Sequence, residues 1–367
     1  ADTLIVDNEN RIKVVTPPVD KTTPLPSYDK PGEDATVFTV ITNLYTANIS
    51  SINGGSIASF VLHNYALNDS ENVELIDNNN INNLMVGFRS IDGDDVSLVG
   101  GWISNNDYDI NVYDNETTVT FKKTIDDKQI TKALTFYPDK YIIDVSVDLS
   151  AIQPQVSQGV STVRWSGGLP LTEPNKNDEQ TYYQAMVFQG DETYSPKPKD
   201  LADARLERMD YPTDWIAIRT KYFITALVPK KPAPGSEVLA IEENGNRRFD
   251  VGVFFNVDRP FFYALYLGPL EYGRIKQLGN SLDQTMNFGW AFIRPISKAV
   301  HWFLLFLHNY IPNYGFVLIV FSVFIKILVY PLTHKSYVST KKMQAIQPML
   351  NDLREKHKND QRKFAQA

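Results

Sequence analysis

Residues Gly315 to Leu332 read GFVLIVFSVFIKILVYPL, eighteen residues that are apolar except for Ser322 and Lys326, with Tyr330 near the boundary. As a helix the stretch spans about 27 Å, close to the hydrocarbon thickness of a bilayer. Ser322, Lys326 and Tyr330 are spaced i, i+4, i+8 and so line one helical face. A lysine well inside a bilayer costs roughly 2.5–3.5 kcal/mol on insertion scales, which normally turns it toward protein or a water-filled cavity. The other reading is snorkelling: Lys326 lies six residues before Leu332, about 9 Å along the axis, within reach of the interface for a long stem. Spacing alone leaves both readings open.

Charge orients this helix. After Leu332 there are eight Lys and Arg against three acids, a net of +5 in a chain whose formal charge is −7, so residues 1–332 carry −12. Basic residues flanking a spanning helix mark its cytoplasmic end, which places the acidic bulk outside. The first twenty residues contain no basic segment followed by an apolar one, so an upstream anchor is expected to be missing from this chain. Its far end, QRKFAQA, stops in a helix-compatible run without a cap, and is expected to continue. The chain has no cysteine, which excludes a disulfide framework, a thiolate metal site and a cysteine nucleophile.

Outward from the helix, FGWAFIRPISKAVHWFLLFLHNYIPNYG (288–315) is too polar and interrupted for a second span. It reads as an amphipathic helix in the outer interface, anchored by Trp302, Phe303 and Phe306. Its histidines, His301 and His308, have no nearby carboxylate to complete a metal site. On the other side, THKSYVSTKKMQAIQPMLNDLREKHKND has a narrow apolar seam of Met343, Ile346, Leu350 and Leu353 on a charged helix, and Pro348 is expected to kink or restart it. Lys341, Lys342 and Arg354 lie on this arm. It suits an anionic membrane surface or a helical-hairpin arm seeking a partner.

Upstream, residues 1–34 are rich in Pro, Asp and Thr and read as an extended tether with at most one short strand near Thr3 to Val6. From Ala35 to about Leu267, runs such as TVFTVITNLYT (36–46), SIASFVLHNY (56–65), QITKALTFYP (129–138) and DWIAIRTKYFITALVP (214–229) alternate apolar and polar residues, with turns rich in Asn, Asp, Gly and Pro. Many strands without strong helical patterns between them predict a mainly β domain, a large antiparallel sandwich. A helix is expected between Glu271 and Asn287, where Tyr272, Ile275, Leu278 and Leu282 recur near helical spacing. The Asp/Asn-rich stretches at 77–83 and 92–95 lack the calcium-loop spacing and read as solvated loops. Three sequons, at Asn48, Asn68 and Asn115, carry little information. His63 stands alone in the β region with no nucleophile or second histidine, so the domain offers no catalytic constellation.

Taken together, the segment FGWAFIRPISKAVHWFLLFLHNYIPNYGFVLIVFSVFIKILVYPLTHKSYVSTKKMQAIQPMLNDLREKHKND resembles the YidC family of membrane protein insertases, in the Oxa superfamily. Its most specific run is YPLTHKSYVSTKKMQAIQP. INGGSIASFVLHNY, WIAIRTKYFITALVP and YLGPLEYGRIKQL follow the order of that family's periplasmic domain. The resemblance implies tether 1–34, a periplasmic β-supersandwich of galactose-mutarotase-like fold at 35–287, an interfacial helix at 288–314, a transmembrane helix at 315–332 and a truncated cytoplasmic hairpin arm at 333–367. It implies a non-enzymatic, cofactor-free insertase of the bacterial inner membrane, multi-pass when full length. Such a protein passes hydrophobic segments of nascent proteins into the bilayer through a hydrophilic groove, alone or beside the ribosome and Sec translocon, with no nucleic-acid substrate.

Lys326 then falls at the family's basic groove position and Ser322 at its small hydroxyl position, with Tyr330 on the same face. Many members carry arginine where this chain has Lys326, so a general electrostatic pull is implied rather than a bidentate contact. The periplasmic domain reads as a spacer or as a docking surface for Sec accessory subunits. The competing reading is a membrane-anchored periplasmic carbohydrate-binding or carbohydrate-modifying protein, for which the YPLT run and the Ser322–Lys326 stripe have no use.

Overall fold

The computed structural model of the chain describes residues 3–6, 12–15, 35–68, 71–76, 83–196, 205–243, 246–286 and 293–356. The chain forms two compact units, residues 1–286 and 287–367.

The first unit is the expected antiparallel β architecture. A nine-stranded sheet is ordered Glu192–Tyr194, Gln184–Gln189, Thr213–Arg219, Phe223–Pro229, Phe261–Pro269, Ile142–Asp148, Lys128–Phe136, Thr117–Ile125, Ile103–Ser104. A six-stranded sheet runs Arg205–Met209, Ser236–Glu243, Asn246–Asn256, Val156–Trp165, Met85–Ser90, Asp95–Ser97. A five-stranded sheet runs Ile110–Val112, Val37–Thr42, Tyr45–Ser50, Ser56–Ala66, Asn72–Glu74, and its first pair is parallel. Residues 1–34 carry two short strands rather than the single one expected, Thr3–Val6 pairing antiparallel with Ile12–Val15. The Asp/Asn-rich loop, but for Asn83, lies outside the described residues.

Alternation explains which face is buried. In Ile142–Asp148, Ile143, Val145 and Val147 are buried while Ile142, Asp144, Ser146 and Asp148 are half-buried, as the two-residue period of a strand requires. That inner face meets both other sheets: Phe38 stacks on Phe121 with centroids 6.4 Å apart, and Phe255 lies 5.7 Å from Tyr263. One continuous apolar core results. Thr213–Arg219 and Phe223–Pro229 are buried on nearly every residue, the mark of strands covered on both faces.

The helix expected between Glu271 and Asn287 is shorter than its apolar spacing suggests. Helix α1 (Lys176–Tyr182) lies between strands, and helix α2 covers only Tyr272–Gln277; after it Gly279, Asn280 and Ser281 have positive φ and the chain continues as a 3₁₀ turn, Leu282–Thr285. Three left-handed residues in succession cannot extend a right-handed helix. The 3₁₀ turn is held by Arg219, buried in the sheet, whose Nη1 donates to the Thr285 carbonyl at 2.6 Å. Arg219→Met leaves that carbonyl without its charged donor, and a loss of about 2 kcal/mol is expected. Hydrogen exchange at Leu282–Met286 should accelerate far more than at Ile142–Asp148; uniform protection would discount the pin.

The second unit contains α3 (Arg294–His308) and α4 (Tyr314–Lys356). Helix α4 continues through Pro331 and Pro348, and so runs unbroken across the division the sequence suggests at Leu332.

Candidate functional site

Helix α4 supplies the one segment among the described residues that is long and apolar enough to cross a membrane, Tyr314–Pro331. It packs on α3 through Phe303, whose ring lies 6.1 Å from Phe321 and 4.7 Å from Phe324. The His308 and Tyr314 rings stack at 3.8 Å where the two helices join. Phe321 and Phe324 define the face turned to α3, and at about 100° per residue Ser322 and Lys326 fall well around the helix from it. Ser322, Lys326 and Tyr330 are all exposed.

The stripe is chemically specific. Ser322 Oγ donates to the Leu318 carbonyl at 2.8 Å, and Thr333 Oγ1 donates to that of Val329 at 3.0 Å. These i−4 bonds satisfy hydroxyls without a partner helix. The Tyr330 and His334 rings lie 5.8 Å apart, extending the polar row by one turn. The Lys326 ammonium carries a full charge and three donors, more than a single helix carbonyl can satisfy. Within a bilayer its solvation must come from water or from an acidic group.

The three aromatic residues expected to anchor α3 fall into two environments. Trp302 and Phe306 are exposed and their rings stack at 5.7 Å, with Tyr310 5.2 Å beyond Phe306. Phe303 instead turns onto α4. Along the arm, Lys341 and Lys342 are exposed, with Lys341 Nζ 5.9 Å from the centre of the Tyr337 ring. The Arg354 side chain, like those of Leu350 and Leu353, lies outside the described residues.

In the β unit His63 Nε2 pairs with Thr46 Oγ1 at 2.9 Å, and no group of three His, Asp or Glu that could hold a metal ion stands among the described residues. Two features of this unit escape a reading by strand pattern alone. Lys132 is fully buried and donates to the carbonyls of Asn53 and Leu84 at 2.9 and 2.7 Å. Its signal is a lysine in phase with the core residues Ile130, Leu134 and Phe136. Glu271 joins two of the segments quoted above: it accepts from Tyr65 Oη and, at 2.8 Å, from Arg274 Nε.

Residues 37–303 match the family model of the YidC periplasmic domain, and residues 306–367 match that of the 60Kd inner membrane protein. The chain is 30% identical to the membrane protein insertase YidC of Chlorobium luteolum, covering 89% of this chain and 58% of that protein. It is 28% identical to its counterpart from Prosthecochloris aestuarii, covering 91% and 59%. The chain thus spans less than two thirds of the length of these relatives. Among solved structures it is similar to an α-N-acetylgalactosaminidase of Bifidobacterium bifidum, at 9% identity and a TM-score of 0.44 over 67% of this chain and 39% of that one.

Proposed function

The chain belongs to the YidC family, and from that premise we propose that it is the periplasmic and first groove-forming part of an insertase that moves hydrophobic segments of nascent proteins into the bacterial inner membrane. Residues 35–287 are its periplasmic domain, 288–314 its interfacial segment, 315–332 its membrane span and 333–367 the start of a cytoplasmic arm. The full-length protein crosses the membrane several times and works alone or with the ribosome and Sec translocon. The carrying observation is Lys326, exposed on the spanning segment of α4 and aligned with Ser322 and Tyr330.

The mechanism is a lowering of the transfer barrier without a covalent step. A polar substrate segment crossing hydrocarbon loses its hydration, at several kcal/mol per unsatisfied group. A wet groove lined by Ser322, Lys326 and Tyr330 lets those groups exchange water for water while the hydrophobic segment partitions sideways into lipid. Lys326 adds attraction for an acidic segment, strengthened where the surroundings are only partly hydrated. The carbohydrate-binding alternative is not favoured by the family match.

Photo-crosslinkers at Ser322 and Lys326 of the full-length protein are expected to capture a ribosome-bound membrane nascent chain. Labelling of lipid alone would refute the groove. Lys326→Ala should reduce insertion of substrates with acidic translocated segments about tenfold, the consequence of losing roughly 1.4 kcal/mol. Lys326→Arg should retain insertion and Lys326→Glu should be the most defective; equal insertion by all three would leave snorkelling as the role of the lysine.

A further inference from the structure

We propose that the main-chain carbonyl of Ile327 is an open hydrogen-bond acceptor in the wall of the groove, and that it takes its donor from groove water or from a main-chain N–H of the passing chain. The proposal rests on the insertase reading and gives that site a fixed acceptor beside the cationic donor Lys326.

Helix α4 runs unbroken through Pro331. Proline has no N–H, so the carbonyl four residues earlier, that of Ile327, has no i+4 donor. Ile327 belongs to the membrane-length window Tyr314–Pro331, about 6 Å along the axis from its end. An acceptor without a donor is costly in hydrocarbon, and a proline is tolerated in a spanning helix where hydroxyl side chains, water or other helices make good the loss.

The hydroxyls of α4 are engaged elsewhere. Ser322 Oγ donates to the Leu318 carbonyl at 2.8 Å and Thr333 Oγ1 to that of Val329 at 3.0 Å. Both of those carbonyls also face an ordinary i+4 N–H, so neither hydroxyl compensates at Ile327. Helix α3 meets α4 through Phe321 and Phe324, on the N-terminal side of this position. Ile327 itself is 69% exposed and Pro331 is exposed.

Helix geometry places the acceptor next to the polar stripe. Residues four apart advance by about 40° around the axis, so the row Ser322, Lys326, Tyr330 drifts as it climbs. Its next member is His334, whose ring lies 5.8 Å from that of Tyr330. His334 is seven residues from Ile327 and comes within about 20° of it. The stripe therefore turns toward the open carbonyl. A polar segment that leaves water brings main-chain N–H groups as well as carbonyls. Lys326 offers only donors, and the Ile327 carbonyl supplies an acceptor for those N–H groups.

The same helix contains its own control. Pro348 removes the i+4 donor of the Gln344 carbonyl in the same way, but in the charged and exposed part of α4, where bulk water serves that carbonyl.

The test uses the full-length protein in proteoliposomes and nascent chains with either a polar or a uniformly apolar translocated segment. Pro331→Ala restores the N–H and favours the helix. It is expected to lower insertion of the polar chain several-fold and to leave the apolar chain unchanged. Lactic acid incorporated at position 331 removes the N–H without the proline ring, and insertion should stay at the wild-type level; Pro348→Ala should have no effect. Ester links in place of amides in the polar segment distinguish the two donors: insertion through the wild type slows if the N–H comes from the chain and is unchanged if it comes from water. Equal loss with alanine and lactic acid would assign the effect to the kink and overturn the proposal, as would wild-type insertion by Pro331→Ala. If a photo-crosslinker at Ser322 captures no nascent chain, the groove reading fails first. Capture at Ser322 together with indifference to position 331 overturns the open acceptor alone.

Discussion

Between pH 7 and about pH 9.5 the unfolding free energy of the wild-type chain is expected to rise by about 3 kcal/mol more than that of Lys132→Met. Lys132 lies in the row Phe121, Lys132, Val147, Phe261 on the inner face of the nine-stranded sheet, and burial pushes its ammonium down to about 7. In the unfolded chain the same group titrates near the usual lysine value. Across this window the unfolded state therefore binds the extra proton, and stability increases with pH. The contribution is fully present only above the unfolded value and is lost as pH falls toward 7. Buried Tyr45, Tyr263 and Tyr266 have raised values; their sign is opposite, and they remove stability only above about pH 10. Denaturation of the full chain in lipid nanodiscs, followed through buried Trp165 and Trp215, measures the difference. Parallel stability curves for wild type and Lys132→Met would show that the lysine is solvated in some other way.

The reason for keeping so costly a group is local. Asn53 and Leu84 both have positive φ, 56° and 55°; asparagine tolerates this conformation, whereas for Leu84 it costs roughly 1–2 kcal/mol. Their carbonyls are the two acceptors of Lys132. One side chain thus holds two left-handed turns from different parts of the chain.

Gly55→Ala is expected to cost about 3 kcal/mol, the sum of left-handed strain and an overpacked core. Gly55 sits at φ 103°, and an added Cβ would meet Phe121 Cε2 at 2.7 Å and Leu134 Cδ1 at 3.0 Å. Both neighbours are fully buried, so neither can swing away into solvent. Gly273→Ala is the matched control, since it lies in α2 with nothing within 4 Å. Removing a helical glycine there should be neutral or raise stability by up to about 1 kcal/mol. Denaturant midpoints for the two variants check the contrast; equal shifts would mean that the turn around Ile52–Gly54 repacks freely.

The membrane segment was legible because a bilayer imposes length and apolarity on consecutive residues, and Ser322, Lys326 and Tyr330 stand out against that background. The strands were legible for a related reason: alternation such as Ile130, Lys132, Leu134, Phe136 records which face is buried. That same alternation misleads on one point, since a lysine in the apolar phase looks like an interruption. The short α2 is not legible because apolar residues at helical spacing, Ile275, Leu278 and Leu282, fit equally a helix that ends at Gln277 and a following 3₁₀ turn.

By itself the sequence determined the membrane-length apolar helix, its polar stripe, the mainly β character of the first unit and the family resemblance, because each is written in local periodicity or contiguous motif. Only the tertiary structure decided that Tyr65 reaches Glu271 across more than two hundred residues and that Lys132 serves two distant carbonyls. Those relations depend on strand order and register, and antiparallel pairing between distant segments leaves no trace in the spacing of either one.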